Sequence, residues 1–99
     1  MEIEITHLAE IEIISIEEYI ENRWNAIVLA DFRDKFDAII ENIISGRVVY
    51  QDFQKTEFQK ALITKHNTLV FHKKDTKITI IRILQNFQVP EENLKNISK

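Results

Sequence analysis

The chain has 99 residues, 44% of them apolar, with a formal net charge of −3, which is material for one domain with a single hydrophobic core. It contains no cysteine, so we expect neither disulfides nor thiolate metal sites, and a reducing cytoplasm fits. One glycine and one proline leave no flexible linker or phosphate-cradling loop. No apolar run approaches the roughly 20 residues of a membrane span, and the opening MEIEIT lacks the basic region of a signal peptide.

The charges are divided unevenly along the sequence. Residues 1–46 carry eleven acidic and three basic side chains, whereas residues 51–84 carry seven basic and three acidic ones. This asymmetry favours an anionic partner for the second half of the chain. The alternative, two solvated faces of opposite sign, stays open.

The first segments predict a short strand followed by a helix. Residues 1–6 alternate glutamate with isoleucine, which is typical of an edge strand. Residues 8–23 have the apolar spacing of a helix. The residues that suit one apolar face of this helix are Leu8, Ile11, Tyr19, Ile20 and Trp24. Its glutamates, Glu10, Glu12, Glu17 and Glu18, are interpreted as solvated charges.

The next segment predicts the clearest helix of the chain, over residues 26–45. Asn25 is a suitable N-cap and Gly46 stands where a C-terminal cap is expected. The three-and-four spacing defines an apolar stripe of Leu29, Phe32, Phe36, Ile39, Ile40 and Ile43. Residues 8–45 should therefore form an antiparallel helical hairpin.

The second half predicts an antiparallel meander of three strands within residues 58–84. The strand-like runs are residues 61–66, 69–73 and 77–84, separated by turn-forming residues at 67–68 and 74–76. Strict alternation in the last run places Ile78, Ile80 and Leu84 on one face. Arg82 interrupts that face and must reach the sheet rim or a partner carboxylate.

Two flanking segments complete the predicted domain. The connector, residues 47–57, should anchor in the core through Val48, Val49, Tyr50 and Phe53. Residues 85–99, which include Pro90, form a polar C-terminal tail. We therefore predict an α+β domain, with the helical hairpin packed on a small, mostly antiparallel sheet of about four strands.

Two phrases, ALITKHNTLVF over residues 61–71 and LQNFQVPEENL over residues 84–94, follow the predicted helices. In that order they resemble the RelE/ParE superfamily of toxins from type II toxin–antitoxin systems. The resemblance covers residues 3–94 and implies a cytoplasmic toxin with no cofactor. It also implies a cognate antitoxin whose C-terminal segment docks in an apolar groove between the helices and the sheet. A homodimer and a toxin–antitoxin heterotetramer both stay open.

RelE-type relatives cut messenger RNA on the ribosome, which requires a base, an acid and cations that hold phosphate. Where those relatives have arginine or tyrosine, this sequence has Gln59, Phe71, His72 and Phe87. The catalytic candidates that remain are Lys60, Lys65, His66, His72 and Arg82. The histidines of the chain have neither cysteines nor the helical spacing of a metal motif.

ParE-type relatives act on DNA gyrase and lack the nuclease residues. A ParE-type activity would therefore lose little from the substitutions at these four positions. The acidic net charge also suits entry into ribosomal RNA poorly. We therefore predict a toxin that inhibits by binding rather than an enzyme. The alternatives are a ribosome-dependent mRNA endoribonuclease and a degenerate, non-toxic binding module. Candidates for antitoxin or target binding are Tyr19, Trp24, Val70, Arg82 and Phe87.

Overall fold

The structure, a computed structural model, describes residues 2–46 and 48–85. Its elements in chain order are β1 (Glu2–Ile5), α1 (His7–Arg23), α2 (Ala26–Ser45), β2 (Gln51–Asp52), β3 (Gln59–Thr64), β4 (Asn67–Lys74) and β5 (Lys77–Gln85). The strands of this described part form one sheet in the order β1-β5-β4-β3-β2. β1 runs parallel to β5, and the other neighbouring strands are antiparallel. The α+β prediction is confirmed.

The two helices begin and end at residues that suit helix caps. The Thr6 hydroxyl accepts a hydrogen bond from the Ala9 N–H at 3.1 Å, and Asn25 Oδ1 accepts one from the Val28 N–H at 3.0 Å. α2 ends at Gly46, whose φ of 71° lies in the left-handed region that favours glycine. The predicted bounds of the second helix are confirmed. Neither described helix is long and apolar enough to cross a membrane.

The hydrophobic core lies between the helices and one face of the sheet. The predicted stripe of α2 is confirmed, because Leu29, Phe32 and Ile43 are buried and its other members pack against them. The sheet supplies to the core Ala61, Ile63, Leu69, Phe71, Ile78, Ile80 and Ile83. The opposite side of the sheet, which carries Lys60 and Val70, is called the second face below.

The buried face of α1 differs from the apolar face predicted for this helix. Its buried residues are Ala9, Ile16 and Ile20, which line up because they recur at spacings of seven and four. Leu8 is 49% exposed and Ile11 is 50% exposed. The first half of α1 is apolar on both sides, so the apolar residues alone did not identify its core face.

β5 departs from strict alternation at a β-bulge. Its register with β4 shifts between Val70, which pairs with Arg82, and Phe71, which pairs with Ile80. One residue of β5 is therefore extra, and the side chains beyond it change face. Ile83, at 2% exposure, joins the core in place of Leu84. The prediction that Leu84 shares one face of the strand with Ile78 and Ile80 is wrong for this reason.

The first turn of the meander lies two residues earlier than predicted. The Thr64 hydroxyl donates to Asn67 Oδ1 at 3.0 Å and accepts from the His66 N–H at 3.1 Å, which closes a turn at residues 65–66. Asn67 and Thr68, predicted as the turn, are instead buried in β4. Asn67 and Thr68 have turn-forming composition, but the side-chain hydrogen bonds of Thr64 place the turn at residues 65–66.

The connector contributes β2, so the sheet has five strands within the described residues where about four were expected. The predicted core anchor Tyr50 packs edge-on against Phe71, with ring centroids 5.7 Å apart. Val48 and Val49, also predicted as anchors, are 47% and 94% exposed. The predicted tail lies outside the described residues, apart from Gln85, which ends β5.

Candidate functional site

Three of the catalytic candidates lie on the second face of the sheet. Lys60 and Arg82 both pair with Val70, from opposite sides, so the three residues form one row across β3, β4 and β5. His72 lies two residues further along β4 and therefore faces the same way. Neighbouring strands are about 4.8 Å apart, which puts the backbones of Lys60 and Arg82 roughly 10 Å from each other.

Arg82 is held by a carboxylate of α1. Its Nε and Nη2 donate to Glu12 Oε2 at 2.9 and 2.6 Å. This hydrogen bond raises the pKa of Arg82 above its ordinary value. The sequence predicted that Arg82 must reach the sheet rim or a partner carboxylate, and Glu12 of the same chain is that carboxylate. The Arg82 side chain remains 43% exposed.

Glu12 also caps the edge of the sheet. β1 pairs with β5 only as far as Ile80, and Glu12 Oε1 accepts a hydrogen bond from the Ile83 N–H at 2.8 Å beyond that point. Backbone groups at a strand edge require such a partner. The Glu12 side chain is 18% exposed, so its interpretation as a solvated charge is wrong.

His72 stands at one end of the second face. Its ring packs edge-on against Phe58, with centroids 5.8 Å apart. It also lines a cavity of about 370 Å³ with Glu2, Lys74, Asp75, Thr76, Lys77 and Thr79. Lys77 is bonded to Glu4 at 2.7 Å, and that hydrogen bond raises the pKa of Lys77. The charges around His72 are therefore mixed in sign.

The other two catalytic candidates lie elsewhere. Lys65 and His66 form the turn between β3 and β4. They line a cavity of about 380 Å³ between this turn and the helices, together with Ile20, Val28, Asp31, Phe32, Lys35, Thr64 and Asn67. The five candidates thus separate into two groups. Among the described residues, no three His, Asp or Glu side chains are arranged to hold a metal ion.

No protein-family profile and no curated protein sequence matches this chain. Solved structures do match. A chain from the structure of the chromosomal ParDE toxin–antitoxin system of P. aeruginosa superposes on this one with a TM-score of 0.71 at 11% identity. The match covers 86% of this chain and 95% of that chain. The chain has the fold of the ParE toxins.

Two further toxins share the fold. A copper-bound mutant toxin from Helicobacter pylori matches with a TM-score of 0.64 at 9% identity, over 90% of this chain and 98% of that chain. The YoeB/ParE toxin from Agrobacterium tumefaciens matches with a TM-score of 0.58 at 12% identity, over 86% and 98% respectively. The fold implied by the RelE/ParE resemblance is confirmed.

On this ParE-like fold the binding candidates occupy different places. Tyr19 and Trp24 lie at the end of the helical hairpin, defined here as residues 19–28, where Trp24 is 65% exposed. The Arg23 guanidinium lies 5.6 Å from the centre of the Tyr19 ring. Val70 is 1% exposed and buried on the second face. Phe87 lies outside the described residues.

Sequence reasoning missed one exposed residue of the hairpin end. Ile27, at 79% exposure, lies in the first turn of α2, three residues after Trp24 in the sequence. The signal was present, because Ile27 falls outside the three-and-four stripe of that helix. Large exposed apolar side chains at one end of a hairpin form a patch of the kind found at protein interfaces.

Proposed function

We propose that this chain is the toxin of a type II toxin–antitoxin module and is neutralised by a cognate antitoxin. The observation that carries the proposal is the ParE-like fold over 86% of the chain. The solved proteins it resembles include further toxins. Fold likeness alone permits other functions, so the proposal also depends on the surfaces that the chain presents.

The antitoxin-binding part of the proposal rests on the hairpin end. Trp24 and Ile27 are exposed there, and Ile20 and Val28 line the neighbouring cavity between helices and sheet. Trp side chains in such settings are typical anchors of protein interfaces. An extended or helical antitoxin segment that covers this end would bury apolar surface which is otherwise exposed to water.

The proposed mechanism is inhibition by binding, with DNA gyrase as the first target to test. The catalytic candidates are split between the second face and the β3–β4 turn, and Arg82 is already bonded to Glu12. Cleavage of RNA requires base, acid and phosphate-binding groups around one bond. The grouping of Lys60, His72 and Arg82 on the second face makes mRNA cleavage the second candidate.

The test is induced expression of the chain alone, and together with its neighbouring small gene. Growth, messenger RNA integrity and gyrase supercoiling activity are followed in parallel. Arrest that the neighbouring gene relieves, with intact transcripts, supports the proposal. Arrest accompanied by codon-periodic cuts in transcripts would show that the toxin acts by mRNA cleavage instead of by binding. Soluble expression without arrest overturns the toxin role and leaves a non-toxic binding module.

A further inference from the structure

Asn67, the first residue of β4, is a buried polar side chain with unused hydrogen-bonding capacity. It is 5% exposed, and it faces the helices because it alternates with the core residues Leu69 and Phe71. Its Oδ1 accepts a hydrogen bond from the Thr64 hydroxyl at 3.0 Å. Among the described residues, no group accepts from its Nδ2 hydrogens. Buried amide donors require an acceptor, so a ligand that carries one would be stabilised here.

Asn67 lines the cavity of about 380 Å³ between the β3–β4 turn and the helices, which is called the turn cavity below. The apolar part of its lining is Ile20 of α1 together with Val28 and Phe32 of α2. Ile20 and Phe32 are buried, and the Phe32 ring stacks with Phe36 at a centroid distance of 6.4 Å, so the core holds this part of the lining in place. A cavity of this volume, apolar with a few polar groups, is typical of small-molecule sites.

The polar lining of the turn cavity offers hydrogen-bond donors and positive charge. Lys35 Nζ forms an ion pair with Asp31 Oδ2 at 3.1 Å, so those two charges are matched. Lys65 adds a further positive charge, and with His66 neutral the lining has a formal charge of +1. Because Asp31 Oδ2 and Asn67 Oδ1 already have donors, an anion suits this lining better than a cation does.

We propose that the turn cavity binds a small carboxylate with an apolar body, of the class of aryl and branched aliphatic acids. The carboxylate oxygens would accept hydrogen bonds from Asn67 Nδ2 and Lys65 Nζ, and the apolar body would cover Ile20, Val28 and Phe32. Hydrogen bonds to an ionised acceptor are stronger than those to a neutral one, so the carboxylate is favoured over the corresponding amide. The proposal does not depend on the toxin role, because neither an antitoxin nor a target takes part in it.

The probe is naphthalene-2-carboxylate, and naphthalene-2-carboxamide is the matched probe of similar shape without charge. Both are titrated into the full ¹⁵N-labelled chain, where ¹H–¹⁵N correlation spectra report the affinity and the place of binding. We expect saturable shifts of the backbone amides of Val28 and of residues 64–67. At low salt the carboxylate should bind at least about tenfold more tightly than the carboxamide.

Two variants test the proposed donors. Asn67→Asp keeps an oxygen that can accept from Thr64 but replaces the amide donors by a carboxyl group. It should reverse the preference between the probes, because the new carboxylate repels naphthalene-2-carboxylate and accepts from the carboxamide. Lys65→Gln should weaken carboxylate binding by about threefold or more and leave carboxamide binding unchanged. Lys55→Gln, in the loop at the other end of β3, is the matched control and should change neither affinity.

Three results would overturn the proposal. They are equal affinity for the two probes, shifts that centre outside the turn cavity, and an effect of Lys65→Gln no larger than that of Lys55→Gln. Thermal melts establish which variants are folded, and if Asn67→Asp is not, Lys65→Gln and its control still decide the outcome. None of these measurements involves growth arrest, so failure here is distinguishable from failure of the toxin proposal.

Discussion

Glu12 of α1 and Arg82 of β5, seventy residues apart in sequence, are joined by an ion pair of 2.6 Å between Oε2 and Nη2. The second oxygen of the same carboxylate accepts from the Ile83 backbone N–H at 2.8 Å. One side chain therefore fixes helix to sheet, neutralises an arginine in an apolar strand and closes the sheet edge where β1 has ended.

Removal of this carboxylate should destabilise the fold. Glu12→Ala leaves both Arg82 and the Ile83 N–H without their acceptor, and we expect a loss of about 1–2 kcal/mol in the free energy of unfolding, because water reaches the exposed part of Arg82. Glu12→Gln keeps an acceptor and should lose less. Urea denaturation measures both. Glu18→Ala, on the exposed side of the same helix, is the control, and an equal loss there would contradict this account.

The β-bulge of β5 makes a second prediction about stability. Ile83 is 2% exposed and belongs to the core, whereas Leu84, its neighbour, is only partly buried. Ile83→Ala should therefore cost about 2–5 kcal/mol, and Leu84→Ala clearly less. Urea unfolding of the two variants side by side tests the register. The opposite order of the two losses would place Leu84 in the core and remove the bulge.

Local signals explain what the sequence predicted well. Asn25 and Gly46 fix the ends of α2, and the spacing of its apolar residues identifies its buried face. The second turn of the meander is confirmed as well, at Asp75, which has a φ of 56°. Each of these features depends on residues within a few positions of one another.

The features that were missed depend on distant residues. The first half of α1 carries apolar residues on two opposite sides, so only its contact with β5 decides that Ala9 is inside and Ile11 outside. The bulge depends on the pairing of β5 with β4. Arg82 signalled that a carboxylate was needed, and the identity of Glu12 followed only from the fold. The grouping of the site candidates likewise required the strand register.

Burial of Tyr50 should make stability depend on alkaline pH. Desolvation raises the pKa of Tyr50 above its ordinary value of about 10, so the folded chain keeps a proton that the unfolded chain has lost. Its contribution to stability is complete below pH 10 and is lost as the pH rises through the raised, folded-state pKa. Tyr50→Phe should therefore lose stability less steeply than the parent chain.

The measurement is urea denaturation in steps from about pH 8 to about pH 11, which spans the ordinary tyrosine range. Tyr19→Phe is the matched control, because Tyr19 is exposed on α1. The lysine and arginine ion pairs are common to all three chains, so the difference between the curves isolates the tyrosine. A curve for Tyr50→Phe that superposes on the parent curve would falsify the assignment to Tyr50.

The antitoxin proposal predicts that Trp24 contributes strongly to affinity and little to folding. Trp24 is 65% exposed, so Trp24→Ala should change stability by no more than about 0.5 kcal/mol. Its affinity for the purified cognate antitoxin should fall by at least about tenfold, because interface tryptophans are frequent hot spots. Isothermal titration calorimetry measures this, with Val49→Ala, at 94% exposure, as control. Unchanged affinity of Trp24→Ala would place the antitoxin elsewhere.

Substitution of His72, the histidine that shares the second face with Lys60 and Arg82, distinguishes inhibition by binding from mRNA cleavage. A general base contributes about 10²–10⁴ to a rate, so a ribosome-dependent nuclease that used His72 would lose nearly all of its toxicity on His72→Gln. A toxin that acts by binding should arrest growth as strongly with glutamine there. Because the His72 ring packs on Phe58, a thermal melt must first show that the variant is folded. Loss of arrest in a folded variant, together with loss of transcript cleavage, would assign the function to mRNA cutting on this face. Arrest that persists with intact transcripts supports inhibition by binding.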